Sequence, residues 1–266
     1  MAKSLRVLLF IALIIIPIVF YKTLNRKSSA NSQALPFSVR DEGPKRPKIA
    51  IVFDDLGESL RELKKIYSLD IPLTVSVIPT LKFSKNIAHI ASRCGFSVLI
   101  HLPLEPASSQ QYKTNKYKFI TSDMSEREVI LLLRQYLNSI RIAIGANNHM
   151  GSAATQDRKL MKIVLNELKK RNLIFIDSRT SLKSIACNEA REIELISGYN
   201  QGFLDAVDDI EVIKRRMIEL KKLAQEKGKI IVIAHPKENT FKFLEAQISS
   251  LREEIEFITI KDFFQL

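Results

Sequence analysis

From Lys48 to the C-terminus, short β-branched runs alternate with longer segments of helical period, and this alternation restricts the fold more than any other feature. The runs are IAIVFDD ending at Asp55, LTVSVIP from Leu73, SVLIHLP from Ser97, IAIGANN from Ile142, LIFIDS from Leu173, IELIS from Ile193, KIIVIAHP from Lys229 and IEFITI from Ile255. Amphipathic stretches such as Glu126 to Asn138, Asp157 to Lys170 and Asp209 to Lys227 lie between most of them. Nearly continuous apolar strands separated by helices predict a parallel sheet covered on both faces. Seven or eight such units in roughly 220 residues suit an α/β fold built as a distorted or incomplete (β/α) barrel better than a small doubly wound sheet. No GxGxxG or GxxxxGK[ST] follows a strand, which removes the usual nucleotide signatures.

The chain before this region has a different character. Residues Val7 to Tyr21, VLLFIALIIIPIVFY, are apolar on every face and follow Lys3 and Arg6, so residues 1–21 read as a signal-anchor or signal peptide. Basic residues follow at once, and the small-x-small sites Ser28 to Ala30 and Ser32 to Ala34 come only later, which favours an uncleaved anchor over a cleaved signal. Residues 22–47 are rich in Ser, Asn, Pro and basic side chains and read as a tether, leaving 48–266 as the folded domain. The chain is then exported: held at the inner membrane facing the periplasm or cell exterior, or secreted if the segment is cleaved.

The net charge of +12 raises the question of nucleic acid, but eight Lys or Arg against Asp41 and Glu42 place half of the excess in residues 1–47. The rest carries no basic stripe interleaved with aromatics, so nucleic acid is not expected as a partner, and an anionic membrane surface or acidic cell-wall polymer accounts for the charge at least as well. The two cysteines, Cys94 and Cys187, form no metal motif and are expected as buried thiols; export leaves a single bridge open.

Three of the four histidines end apolar runs: His101 in VLIHLPLEP, His149 in IGANNHMGS and His235 in IVIAHPKEN, whereas His89 lies within a helical segment. A parallel barrel delivers all its strand ends to one face, so Asp54, Asp55, His101, His149, Asp177 and His235 are expected to converge there. Singly, each also suits a strand or helix cap. Together, imidazoles and carboxylates suit a divalent ion such as Zn²⁺ with an open position, leaving a second carboxylate and imidazole for proton transfer.

The series FDD, HLPLEP, NNHMGS, IDSRTS, FLD and AHP resembles the divergent polysaccharide deacetylases, a branch of the NodB-type carbohydrate esterases, over about residues 48–264. The resemblance implies a distorted (β/α) barrel acting on the N-acetyl groups of a glycan. It implies Asp54 as general base, Asp55 as its metal-binding neighbour, His101 as the first histidine of a metal pair and His235 as the acid toward the leaving amine. Where the second metal histidine of that pattern would stand, the chain has Glu105, which is a ligand, a ligand support or neither, and His149 is the candidate replacement. Asp177 and Arg179 resemble positions flanking the base, with Arg179 expected to pair with Asp54 or Asp177. Asn147 and Asn148 either bind substrate or shape a tight loop, and Asp205 reads equally as a helix cap. The expected function is a metal-dependent deacetylase of an envelope glycan such as peptidoglycan. The alternative is a glycan-binding, cell-wall-regulating module with a relic site, which the Glu105 departure favours.

Overall fold

The structure is a computed structural model that describes residues 46–108 and 117–266. The apolar segment and nearly all of the tether lie outside the described residues, and among those described no helix is long and apolar enough to cross a membrane.

Among the described residues, nine strands pair in parallel throughout: β1 (Lys48–Leu56), β2 (Thr74–Val77), β3 (Ser97–Leu104), β4 (Gly145–Met150), β5 (Ile174–Asp177), β6 (Ser197–Tyr199), β7 (Gly202–Phe203), β8 (Lys229–Ala234) and β9 (Glu256–Phe257). Their order is β6-β5-β4-β3-β2-β1-β8-β7, with β9 also on β1. The helices are α1 (Leu60–Ser68), α2 (Ser84–Arg93), α3 (Glu126–Ser139), α4 (Arg158–Lys169), α5 (Ala186–Glu192), α6 (Ile210–Lys227), α7 (Glu238–Glu254) and α8 (Ile260–Phe264). Ser125, Asp157 and Asp209 cap α3, α4 and α6 through their side chains, so polar residues heading each helical run set where it starts.

The outer strands β6 and β7 belong to one chain segment, so the sheet curls until its two ends meet there. Asn200 and Gln201 span the break. Asn200 Nδ2 donates to Ser178 O at 3.1 Å, while its Oδ1 accepts from Ile233 N at 3.3 Å and Gly202 N at 2.9 Å. Gln201 Oε1 accepts from Ile231 N at 2.6 Å. Side chains thus supply the ladder bonds that a split strand cannot, which is the distorted barrel expected from the sequence.

Strand pleating sorts the side chains. Ile49, Ile51, Phe53, Val75, Ile100 and Phe175 face the helices in one large core, and Ala50, Val52, Leu99, Ile174, Ile176, Ile231 and Ile233 fill the barrel. Ile260 and Phe263 of α8 join the inner cluster, and Ile260 N donates to Thr74 Oγ1 at 2.9 Å, so this short helix closes the end opposite the strand C-termini.

Two runs depart from expectation. IELIS contributes only Ser197, the first residue of β6, because the end of α5 consumes the rest: Glu194 is left-handed (φ 56°) and Leu195 N donates back to Ala190 O at 2.9 Å. IEFITI yields only β9 before Thr259 caps α8. Both cysteines are free, and Cys94 is exposed at the solvent-facing end of α2, so only Cys187 is the buried thiol expected.

Replacing Asn200 by Ala strands the Ile233 N–H and the Ser178 carbonyl in a buried setting. The expected loss is about 2–6 kcal/mol at one to three per unsatisfied group, read as a lower urea midpoint at constant m. An unchanged midpoint would show that the closure adds nothing to stability.

Candidate metal centre

The parity that packs the barrel also places its polar mouth. Continuing the inward rows by two residues turns Val52 into Asp54, Thr74 into Ser76, Leu99 into His101, Ile176 into Ser178 and Ile233 into His235, with Asn147 and His149 inward on β4. Parity alone would send Asp55 outward. The β1–β2 register slips between Phe53 and Leu56, and Asp55 takes a left-handed φ of 63°, so both carboxylates turn to the same side. Gly57, at φ +146°, then turns the chain where a Cβ would stand 2.8 Å from the Leu81 side chain.

The buried amide of Asn147 organises the centre. Its Nδ2 donates to Asp54 Oδ1 and Oδ2 at 2.9 and 3.1 Å and to Ser178 Oγ at 3.1 Å. Its Oδ1 accepts from Ser76 Oγ and lies 2.9 Å from His101 Nδ1. The other nitrogen of His101 faces Asp55 Oδ1 at 3.1 Å and Asp54 Oδ2 at 3.5 Å. His149 reaches the same Asp55 oxygen through Nδ1 at 2.8 Å, and its Nε2 meets the Tyr117 hydroxyl at 2.8 Å. His235 Nε2 stands 3.9 Å from Asp55 Oδ2, and its Nδ1 lies 2.8 Å from Asp205 Oδ1.

These contacts split the charges. Burial raises Asp54 to about 6, against the pull of His101 and His235. Burial also opposes ionisation of Asp55, but hydrogen bonds from His101 and His149 hold it far below the usual carboxylate range. His235 is disfavoured as a cation by burial, yet the bond and charge of Asp205 raise it above its ordinary value. Asp205 is fully buried, with Oδ2 accepting from Thr240 Oγ1 and His235 N, each at 2.7 Å.

Asp55, His101 and His149 offer one ligand atom each, all within 4.8 Å of one another. Donor atoms around one tetrahedral ion lie roughly 3.3 Å apart, since its bonds are about 2.0–2.1 Å, and the nitrogens of His101 and His149 sit 3.1 and 2.8 Å from the Asp55 oxygen. A carboxylate and two imidazoles are a donor set for a divalent metal, so the residues present fit one.

Other expected residues do different work. Glu105 turns its carboxylate to Ser122, accepting from N and Oγ at 2.7 Å each, so the ligand set forms without it. Asp177 shares the outward face of β5 with Phe175, and its oxygens accept from Ser184 Oγ at 2.7 Å and Arg179 N at 2.8 Å, so the loop after β5 and not the base receives them. The expected ion pair of Arg179 with Asp54 or Asp177 is not formed: left-handed at φ 55°, Arg179 carries its guanidinium over the Tyr199 ring at 4.5 Å. Asn148 is structural, with Oδ1 accepting from Ser178 N at 2.8 Å and Nδ2 donating to Met150 O at 2.7 Å. The sequence reading left Asp205 open between the site and a helix cap, and passed over Ser76, Ser178 and Tyr117. Inward parity at the ends of β2 and β5 could have found the two serines, and the FLD motif pointed to Asp205, but no local signal marks Tyr117.

A family model described as divergent polysaccharide deacetylase matches residues 51–264. A protein of Haemophilus influenzae is 34% identical over 211 residues, which span 79% of this chain and 74% of that protein. Among solved structures, ATU2773 of Agrobacterium tumefaciens superposes with a TM-score of 0.76 at 21% identity, covering 83% of this chain and 90% of that one. The Bc1960 peptidoglycan N-acetylglucosamine deacetylase follows at TM-score 0.51 and 13% identity, covering 84% and 91%. BA3943 of Bacillus anthracis, a CE4 family pseudoenzyme, has TM-score 0.50 and 14% identity, covering 84% and 66%. An enzyme and a pseudoenzyme thus share this barrel, and at such identity the likeness carries the fold alone. From the match across nearly the whole described region, the chain belongs to the divergent polysaccharide deacetylase family.

Proposed function

We propose that this protein is a zinc-dependent deacetylase that removes N-acetyl groups from an envelope glycan. The observation that carries the reading is the placement of a second carboxylate and a second imidazole, Asp54 and the Asp205-held His235, around the Asp55, His101 and His149 ligand set. The family description supports a polysaccharide substrate, and the name of Bc1960 supports an N-acetylglucosamine unit within peptidoglycan. The apolar segment Val7 to Tyr21 and the basic residues around it support export and retention at the membrane, facing the periplasm or cell exterior.

A zinc ion held by Asp55, His101 and His149 would supply Lewis acidity toward an amide carbonyl and acidify water. Asp54 takes the proton from the attacking water. Burial lifts it to about 6, so it is a stronger base than an ordinary carboxylate while still ionised at neutral pH. The Asn147 amide holds both its oxygens, and so its aim. His235 donates from Nε2 to the leaving amine as the carbon–nitrogen bond breaks, because Asp205 holds Nδ1 and steadies the imidazolium. Asp177 acts at one remove by fixing the loop that sets Ser178 on Asn147 and Arg179 at the rim.

Two variants of the full-length protein separate these roles, with acetate release from N-acetylglucosamine oligomers and bound metal both measured. His101→Ala should lose the metal and the activity together. Asp54→Asn should keep the metal and lose roughly 10²–10⁴ in kcat, the range of a positioned acid or base. Metal-free wild-type protein, or an Asp54→Asn chain with undiminished turnover, sinks the reading.

The pH profile gives a third test. A proton donor works below its pKa, and Asp205 raises that of His235, so activity should extend further up in pH than an ordinary imidazole would allow. Asp205→Asn removes the raising charge. The alkaline limb of kcat should therefore move to lower pH; a limb that stays in place means that His235 is not the donor.

A further inference from the structure

We propose that the two imidazoles of the centre are locked in opposite tautomers, His101 presenting Nε2 and His149 presenting Nδ1 toward the metal, and that Tyr117 is the positioning residue that fixes the second. This rests on the reading that the centre holds a metal.

The first lock follows from Asn147. Its nitrogen is the atom turned to both oxygens of Asp54, which accept, so its oxygen is the atom turned to His101. That oxygen accepts from Ser76 as well, and the only partner it can take at His101 Nδ1, 2.9 Å away, is an N–H. With Nδ1 protonated, Nε2, which donates to Asp55 Oδ1 at 3.1 Å until a metal takes the place of its proton, is the nitrogen left to bind.

His149 is presented the other way round. Its Nδ1 is the atom on the shared Asp55 oxygen, at 2.8 Å, and its Nε2 is the atom on Tyr117, at 2.8 Å. If Nδ1 is to be a ligand, the proton sits on Nε2 and goes to the phenol oxygen. Ring contacts hold the imidazole plane: Tyr117 meets it edge-on at 5.5 Å and 82°, and Phe119 lies 6.1 Å from His149 and 5.4 Å from Tyr117.

Glu105 explains how Tyr117 is delivered. Its carboxylate accepts from Ser122 N and Oγ, its backbone N donates to Ile120 O at 3.0 Å, and Ile120 N donates to Pro103 O at 2.9 Å. The segment running through Tyr117 and Phe119 is thereby stitched to the end of β3. The Glu105 carbonyl also accepts from Ala153 N and Ala154 N, each at 3.0 Å, which ties in the turn after His149. The residue standing where a second metal histidine was expected therefore fastens together the two segments that replace it.

The test uses the full-length protein loaded with zinc and labelled with ¹⁵N-histidine. Long-range proton–nitrogen spectra should show His101 as the Nδ1–H tautomer and His149 as the Nε2–H tautomer. Competition with a chromophoric chelator should show Tyr117→Phe binding zinc about 10-fold or more weakly, the usual effect of removing a ligand's hydrogen-bond partner, with the unfolding midpoint of the apo-protein unchanged. Finding His149 as the Nδ1–H tautomer in the loaded wild type, or equal zinc affinity in Tyr117→Phe, overturns the proposal. Acetate release is not read, so absence of deacetylase activity would defeat the proposed function and leave these outcomes as they stand.

Discussion

A single buried amide holds the mouth of this barrel together. Asn147, on β4, contacts Asp54 from β1, Ser76 from β2, His101 from β3 and Ser178 just beyond β5. Each partner is buried, and each would otherwise carry an unmet donor or acceptor in a place with little water. The amide also couples the electrostatics. Its nitrogen tempers the cost of burying Asp54, and its oxygen orients the imidazole beside that carboxylate. Removing it would loosen four strand ends at once, so placement of the carboxylate and imidazole groups at the mouth and stability of the sheet's upper edge have one cause.

Around that hub, the backbone spends strain to bring side chains inward. Asp55, Thr80, Met150 and Arg179, which end or follow β1, β2, β4 and β5, all have positive φ between 54° and 71°. Such residues persist only where surrounding contacts over-determine them, and they gather at functional sites. At Asp55 the consequence is direct. Without the bulge, its carboxylate would leave β1 on the face of Phe53, among the helices, and the ligand set would lack its only anion.

Much of this was legible in the sequence because parallel strands buried on both faces leave long apolar runs, and helix caps leave polar residues at their heads. The convergence of Asp54, His101, His149 and His235 follows from fold class, since every strand delivers its end to one face, whereas Asp55 joins them only through the bulge in β1. Asp177 misled for a reason of parity: it ends its strand one residue off the inward row, and Ser178 takes the inward place. Short strands were the other weakness. β6 and β7 hold three and two residues and are joined by side-chain bonds from Asn200 and Gln201, which no apolar period records. Tyr117 was beyond reach because its position depends on how Glu105 folds a loop.

Two adjacent carboxylates at the end of a buried strand look costly, and their pKa values show how the cost is divided. Asp54 sits deeper, where burial outweighs the pull of nearby imidazoles and lifts it to about 6. Asp55, turned toward His101 and His149, is held low by their hydrogen bonds despite its own burial. Two identical groups one residue apart thus become a base poised near neutrality and a permanent anion, the separation by environment that assigns acid–base roles at active sites. The bulge at Asp55 produces the difference, because it sets one oxygen of the second carboxylate on both His101 and His149, at 3.1 and 2.8 Å, while the first stands 3.5 Å from His101 alone of the two.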